Sequence, residues 1–306
     1  TRAFGTADMT VEAAVSIPVQ HLKRRNTVVA FCLEQPLGMA GLLAIVVMMS
    51  AALFAEHVAP YDPVVIDFGA MLAAPAGAHW FGTDAFGRAI LSRVIYGART
   101  ALAIGFLSSF LGCSVGAVLG VASAYFGGRT DTLLQRVMDI LLSFPIIVLA
   151  LVVVAMLGRN IVLGVDLNLI LAIAVPMLPR VARVVRSSAL SIRELPYIDA
   201  VRVQGFGHAR IIFRHMVPNV VAPYLIMLTA SIGQAILLEA SLSFLGLGVA
   251  EPIPSWGLML SGNASDFYRE APWMILFPGL AISAAVFAFN LFGDSLRDWL
   301  DPKFKV

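Results

Sequence analysis

Residues 193–218 read RELPYIDAVRVQGFGHARIIFRHMVP, a charged stretch that lies between two long apolar segments. Only 13% of the 306 residues are charged. Hydrophobic residues make up 59% of the chain, compared with roughly 45–50% in soluble domains. This balance indicates an integral membrane protein. Because a charged side chain at the centre of a membrane helix costs about 2.5–3.5 kcal/mol on insertion scales, we expect residues 193–218 to lie in water or against another protein.

The apolar segments on either side of this stretch are each long enough for the roughly 20 residues that a bilayer requires of a helix. We therefore predict an all-α integral membrane protein with six transmembrane helices. Prolines within or at the ends of several segments are expected to kink them. The predicted spans are 37–55, 100–125, 137–157, 167–185, 219–246 and 272–293, and the prolines are Pro145, Pro176, Pro179, Pro223 and Pro278.

The distribution of basic residues predicts the orientation, because cytoplasmic segments carry an excess of lysine and arginine. With both termini in the cytoplasm, sixteen of the 21 basic residues fall on the inner side. Residues 193–218 are then cytoplasmic. The five basic residues left outside are Arg88, Arg93, Arg99, Arg159 and Arg269.

The predicted organisation has four parts. Residues 1–36 are a cytoplasmic or interfacial segment, and residues 37–98 are the first span with an external segment. Residues 99–298 are the core, in which residues 187–218 form a cytoplasmic loop, and residues 299–306 are a cytoplasmic tail. No cleavable signal peptide is evident, and the first apolar run is expected to serve as both span and targeting signal.

The charged stretch has the pattern of a helix, a glycine turn and a second short helix. Asp199 and Arg202 are three residues apart and can pair on one helix face. Ile198, Val201 and Phe206 are candidates for an apolar face. Gly205 and Gly207 are expected to end the helix. The pattern fits either a docking element, with Phe206 as an exposed aromatic anchor, or a solvated linker.

The charged stretch and several other segments resemble a known family. The spacing Asp199-Ala200-Val201-x3-Gly205, followed by Met216-Val217-Pro218, resembles the cytoplasmic loop motif of ABC importer permeases, Glu-Ala-Ala-x3-Gly-x9-Ile-x-Leu-Pro. Asp replaces Glu and Val replaces the second Ala. Further blocks resemble the C-type permease of dipeptide, oligopeptide and nickel importers. They are APYDP (59–63), FGTDAFGRAILSRVIYGAR (81–99), SAYFGGRTDTLLQRVMDILLSFP (123–145), SFLGLGVAEPIPSWGLML (243–260) and FPGLAISAAVFAFNLFGDSLRDWLDP (277–302).

The resemblance implies the type I ABC importer permease fold in the bacterial inner membrane. It also implies four kinds of partner: a second (B-type) permease subunit, two ATPase subunits, an extracytoplasmic solute-binding protein and membrane lipid. Residues 199–207 would be the coupling helix that fits a cleft on the ATPase. The residues expected to contribute to coupling are Tyr197, Asp199, Ala200, Arg202, Val203, Gly205, Phe206 and Gly207.

The sequence contains no phosphate-binding loop of the type Gly-x4-Gly-Lys-Ser/Thr, and its only lysines are Lys23, Lys303 and Lys305. The chain is therefore expected to be a transporter subunit rather than an enzyme, with ATP and Mg²⁺ bound by partner subunits and no cofactor of its own. No catalytic pair, metal-ligand cluster or nucleic-acid-binding pattern is recognisable.

A few polar residues inside or beside the spans are candidates for other roles. Glu239 is a candidate for the translocation path or a structural hydrogen bond, since intramembrane carboxylates are costly unless partnered. Gln234 and Asn290 are weaker path candidates. Asp139 is expected to pair with Arg136 or cap a loop. Asp84 and Arg88 are expected to staple an external turn or to form a scaffold for partners.

The leading hypothesis is import of short peptides by alternating access. The family resemblance also allows nickel chelates, glutathione or another small solute. A stand-alone ion-coupled transporter is the competing class, but it predicts several intramembrane carboxylates, and Glu239 is nearly isolated. An intramembrane enzyme would need a nucleophile–base pair, which the spans do not offer.

Overall fold

The computed structural model describes residues 34–162 and 165–300, so most of the predicted N-terminal segment and the end of the predicted tail lie outside the described residues. Nearly all regular structure is helical, with a two-stranded antiparallel hairpin near residue 163. The helices are α1 Pro36–Leu53, α2 Ala55–Val58, α3 Ile90–Phe126, α4 Gly128–Leu142, α5 Ile146–Leu157, α6 Leu167–Arg193, α7 Pro196–Val203, α8 His208–Ile211, α9 Val217–Phe244, α10 Trp256–Met259, α11 Asn263–Asp266 and α12 Trp273–Leu300. The strands are β1 Ile161–Val162 and β2 Val165–Asp166, a 3-10 turn covers Phe68–Ala70, and a π-helical turn at Ile212–Met216 joins α8 to α9.

Five helical runs in the described residues are long and apolar enough to cross a membrane: α1, α3, α6, the continuous run from α8 to α9, and α12. Helices α4 and α5 pass the same test only as a pair, bent by 96° at the break between them. Counting that pair as one span gives the predicted six. The helices extend beyond several predicted spans: α6 continues to residue 193, the run from α8 to α9 begins at residue 208, and α12 continues to residue 300. Helix α3 begins at residue 90, so the predicted domain boundary at 98–99 falls inside a helix.

The predicted third span, 137–157, is not a straight helix. The break falls at Ser143-Phe144-Pro145, where the proline has no N–H to donate and disfavours helical backbone in the residue before it. Helix α5 has 12 residues and is about 18 Å long, shorter than the roughly 30 Å hydrocarbon core. By contrast, Pro176, Pro179 and Pro223 lie inside continuous helices.

Helices α3 and α6 pack closely because glycines repeat every fourth residue on one face of α3. A Cβ atom at Gly112, Gly116 or Gly120 would lie 2.9, 2.9 or 2.5 Å from a backbone carbonyl oxygen of α6. Such small-residue repeats allow membrane helices to approach closely, where van der Waals packing replaces the hydrophobic effect. This close packing holds the inner ends of α3 and α6 together, and residues 193–218 pack against those ends.

The external segment folds back over the outer ends of α3 and α12. Trp256 Nε1 donates to the carbonyl oxygen of Val94 at 2.8 Å, and Trp273 Nε1 donates to that of Thr83 at 3.0 Å. Arg93 is buried and donates to the carbonyl oxygen of Pro63 at 3.0 Å. The bonds of Trp273 and Arg93 tie the segment to α12 and α3, and that of Trp256 ties α10 to α3, all at the end opposite residues 193–218.

Candidate functional site

The strongest candidate is the loop at residues 187–218, called here the inner loop. Its first helix, α7, begins at Pro196, whose fixed φ suits the first turn of a helix. Ile198 is fully buried. Val201 and Phe206 pack against the same cluster, which joins the inner ends of α3, α6 and α9. The predicted apolar face is therefore confirmed, and it fixes the helix to the membrane-spanning part.

The turn after α7 depends on Gly205, which has φ +77°, a conformation that other residues adopt only with strain. The N–H of Gly205 bonds the carbonyl oxygen of Arg202 at 2.9 Å. Gly207 has an ordinary φ of −66° and precedes α8. The helix–glycine–helix pattern is thus present, and Gly205 is the residue that reverses the chain.

The exposed face of α7 is small and polar, and it carries one highly exposed apolar side chain, Val203. Arg202 Nη1 and Asp199 Oδ1 are 3.0 Å apart, which confirms the pairing predicted from their spacing. Ala200 is exposed, Tyr197 is 40% exposed and Val203 is 89% exposed. This face is free to contact another protein.

Phe206 is not the exposed anchor that the sequence favoured. Its ring is only partly accessible, packs against the buried cluster, and lies 4.1 Å from the Arg210 guanidinium. The glycine turn directs the ring back toward the spans. Val203, one of the predicted coupling residues, is the most exposed apolar side chain of the inner loop, and Phe213 is exposed as well.

Hydrogen bonds connect the inner loop to the spans, among them one from Arg193 Nη1 to the carbonyl oxygen of Ala124 in α3 at 2.8 Å. The Tyr125 hydroxyl, at the inner end of α3, lies 2.7 Å from Nδ1 of His208. On the other side, Asn219 Nδ2 of α9 donates to the carbonyl oxygen of His215 at 2.7 Å and to the Tyr197 hydroxyl at 3.2 Å. These bonds tie the inner loop to α3 through α8 and to α9 through α7. Sequence reasoning missed Tyr125 and Asn219, since no spacing rule relates residues so far apart.

Ion pairs hold the inner end of α6 against α4. Arg186 binds Asp131 through two bonds of 2.6 Å, and Arg183 pairs with Asp139. The prediction that Asp139 pairs with Arg136 is wrong, because α4 turns the Asp139 carboxylate toward α6. Bidentate arginine–carboxylate pairs fix orientation as well as distance.

The three path candidates have different environments. Glu239 is fully buried, and its Oε1 accepts hydrogen bonds from Ser243 at 2.7 Å and Ser255 at 2.8 Å. It lines no open surface of this subunit, which favours the structural alternative. Gln234 is partly exposed and accepts a bond from Arg180, while Asn290 is exposed on α12.

At the outer side, Arg88 pairs with Asp84 at 2.6 Å, which confirms the predicted staple. Arg88 also contacts Glu251 at 3.0 Å. The side chains of Asp84, Arg88 and Glu251 line a cleft of about 510 Å³. Within the described part of the chain, no group of three or more His, Cys, Asp or Glu side chains could hold a metal ion.

Comparison with known proteins agrees with this architecture. Residues 116–306 match the family described as "Binding-protein-dependent transport system inner membrane component", and residues 33–75 match the "N-terminal TM domain of oligopeptide transport permease C". The chain is similar to a chain of the MetNI methionine ABC transporter in an inward facing conformation, with a TM-score of 0.53 and 19% identity over 68% of this chain and 96% of that one. This likeness supports the fold alone.

Curated relatives match over most of their length. The dipeptide transport system permease protein DppC of Alkalihalophilus pseudofirmus is 42% identical, over 89% of this chain and 88% of the relative. The glutathione transport system permease protein GsiD of Pectobacterium atrosepticum is 39% identical, over 89% of each chain. A putative peptide transport system permease protein of Brucella suis is 43% identical, over 87% of this chain and 88% of the relative. The chain therefore belongs to the binding-protein-dependent ABC importer permeases, as a multi-pass inner-membrane subunit with the type I fold.

Proposed function

We propose that this permease carries short peptides inward as one half of an alternating-access path, with a second permease subunit as the other half. Two ATPase subunits bind ATP and Mg²⁺ and hydrolyse the ATP, and an extracytoplasmic binding protein delivers the solute. The chain itself needs no cofactor. The observation that carries this proposal is the inner loop: α7 has an exposed face for a partner, and the loop bonds to α9 through Tyr197 and to α3 through His208.

Coupling follows from these bonds. When the ATPase subunits close on ATP, the cleft that holds α7 moves. Because Ile198 is buried among the spans and Tyr125 and Asn219 hold either side of the loop, α7 moves with the inner ends of α3 and α9. The path then opens outward to accept solute, and hydrolysis resets it.

Peptides are preferred as cargo because two of the three relatives described above are named for peptide or dipeptide transport. Glutathione is the second candidate, supported by a relative of similar identity and coverage. Nickel chelates remain only an implication of the sequence resemblance.

The test is uptake of labelled di- and oligopeptides and of glutathione into proteoliposomes holding the complete transporter and its binding protein. We expect ATP-dependent peptide uptake that disappears when the ATPase subunits are omitted. Persistence without them would contradict the importer mechanism and favour ion-coupled transport. Uptake of glutathione alone would replace the peptide assignment.

Val203→Glu tests the docking face. Val203 touches little of its own chain, so the charge should leave the fold intact and weaken ATPase binding by about tenfold, the effect of one poor contact at an interface centre. Asn160→Asp, in the outer connection, is the control and should bind the ATPase normally. Normal binding by Val203→Glu would show that α7 docks elsewhere.

A further inference from the structure

Three arginines follow one another at three-residue intervals along α6, and they differ in how their charges are balanced. Arg186 is paired with Asp131 and Arg183 with Asp139, both on α4. Arg180 has no such partner: in the described part of the chain its guanidinium bonds the neutral amide of Gln234, at 3.0 Å, and no carboxylate. One positive charge is thus left uncompensated by its own subunit.

The position of Arg180 makes this charge unusual. It is the fourteenth of the 27 residues of α6, about 20 Å from the outer end of the helix and about 10 Å from residue 187, where the inner loop begins. The sequence pattern had grouped it with the inner arginines, but the helix continues to residue 193. A charged side chain this far along a membrane helix is costly in lipid, and such residues almost always face the bundle interior or a water-filled cavity.

The side chain faces outward from this subunit rather than into its core. Arg180 is exposed, whereas its neighbours Pro179 and Val181 are buried. Its partner Gln234 lies on the side of α9 that also carries the exposed residues Ala230 and Leu237. In a transporter built from two permeases, an outward polar surface at this depth fits the water-filled path between them.

We propose that Arg180 contacts the solute in the translocation path and receives a carboxylate of the transported peptide, with Gln234 positioning its guanidinium. This inference rests on the proposed function. A guanidinium offers two parallel N–H donors that match a carboxylate. Dipeptides carry a terminal carboxylate and glutathione carries two, so the same group would serve both cargoes for which the relatives are named. The amide of Gln234 holds the side chain without neutralising it.

Access from water is tested first, by a method that needs no known solute. Arg180→Cys is made in a Cys32→Ala, Cys113→Ala background, and the assembled transporter in proteoliposomes is treated with a membrane-impermeant trimethylammonium methanethiosulfonate. We expect reaction at a rate that differs between the nucleotide-free and vanadate-trapped states. Leu171→Cys, also exposed but on the opposite face of α6, two and a half turns away, should stay unreactive.

Absence of reaction at position 180 in both states would overturn the inference. It would mean that the side chain faces lipid or is paired permanently with the second permease. Equal reactivity in the two states would overturn it as well, since an alternating path must change the access of its lining.

Transport gives the second readout. We expect Arg180→Gln to lower peptide uptake by about tenfold, as expected for the loss of one charge-assisted hydrogen bond. ATP hydrolysis stimulated by the binding protein should stay within about twofold of wild type, because α7 and its anchors are unchanged. Arg180→Lys should retain only part of the uptake, because the charge stays but the paired donors are lost. Arg129→Gln, which removes an exposed arginine near the start of α4, should behave as wild type.

A charge rescue separates binding from structure. On the Arg180→Cys variant, a reagent that attaches an ammonium group should restore uptake, and one that attaches a sulfonate should not. Wild-type uptake by Arg180→Gln, or equal effects of the two reagents, would overturn the role of the charge. If wild-type transporter itself imports no peptide, the proposed function fails instead, and the access experiment still decides where Arg180 lies.

Discussion

Gly120 shows how a single hydrogen atom in place of a side chain sets a helix contact. A Cβ there would lie 2.5 Å from the carbonyl oxygen of Ala182 and 3.0 Å from the backbone nitrogen of Arg186. We expect Gly120→Ala to separate α3 from α6 and to destabilise the fold by about 1–3 kcal/mol, the usual cost of overpacking. The measurement is the thermal unfolding midpoint of the purified subunit complex.

The matched control is Gly279→Ala in α12, where a Cβ meets no other atom within 4 Å. Alanine is the better helix former, so this change should be neutral or slightly stabilising. Equal effects of the two substitutions would show that helix propensity, not the α3–α6 contact, determines the result.

Glu239 gives a second prediction at this scale. Its Oε1 is the acceptor for two buried serine hydroxyls, Ser243 and Ser255. Glu239→Leu leaves both donors unsatisfied and should cost about 2–3 kcal/mol of stability, whereas Glu239→Gln keeps an acceptor oxygen and should cost less. Thermal unfolding of the complex measures both. If Glu239→Leu were as stable as wild type but inactive in uptake, a role in the path would be favoured after all.

Among single residues, the sequence predicted the pairs that are close along the chain. Asp84–Arg88 and Asp199–Arg202 are four and three residues apart, and both form. Arg183–Asp139 and Tyr125–His208 join residues 44 and 83 apart, so they depend on how helices cross. No periodicity rule contains that information.

At the scale of elements, two glycines between α7 and α8 allow the backbone conformation of the turn to be tested separately from the surface that the turn offers to the ATPase. Gly205 has φ +77° and Gly207 has φ −66°, and a Cβ at either would meet nothing within 4 Å. Gly205→Ala should therefore act through backbone strain alone, at about 1 kcal/mol. We expect it to reduce ATPase association and coupled uptake several-fold.

Gly207→Ala is the control, with the same side chain added two residues away. It should bind the ATPase as wild type does. The measurement is co-purification of the ATPase subunits together with uptake. Equal loss in both variants would mean that the added methyl groups block the ATPase surface, and the strain argument would be wrong.

Local chemistry explains which elements the sequence could predict. Pro196 and Gly205 mark the start and the end of α7, and both act on the backbone within a residue or two. The third span was expected to be kinked at Pro145 but continuous, because 137–157 is long and mostly apolar, whereas Ser143-Phe144-Pro145 breaks the helix with a bend of 96°. The inward turn of Phe206 depends on a cluster built from five helices, α3 and α6 to α9, most of which lie outside the loop sequence.

At the scale of the whole molecule, the bent pair α4–α5 decides the topology. If it crosses the membrane, both ends of the described chain lie on the same side and the inner loop is cytoplasmic. If it re-enters, everything after residue 158 changes sides, and Arg202, Arg210 and Arg214 of the loop face outward. That arrangement contradicts the positive-inside rule, and it separates α7 from any cytoplasmic ATPase. It also contradicts the glycine contacts between α3 and α6, in which residue numbers rise together, because two parallel spans require the chain between them to cross the membrane.

Alkaline phosphatase, which is active only outside the cytoplasm, distinguishes the two topologies when fused after successive glycines in loops. We expect activity after Gly158 and Gly248, and none after Gly127 or Gly205. Fusions to green fluorescent protein, which is fluorescent in the cytoplasm, should give the reverse pattern. Inactive phosphatase at Gly158 with active phosphatase at Gly205 would establish a re-entrant pair. The inner loop could then not contact the ATPase, and the bonds of Tyr125 and Asn219 would need another explanation.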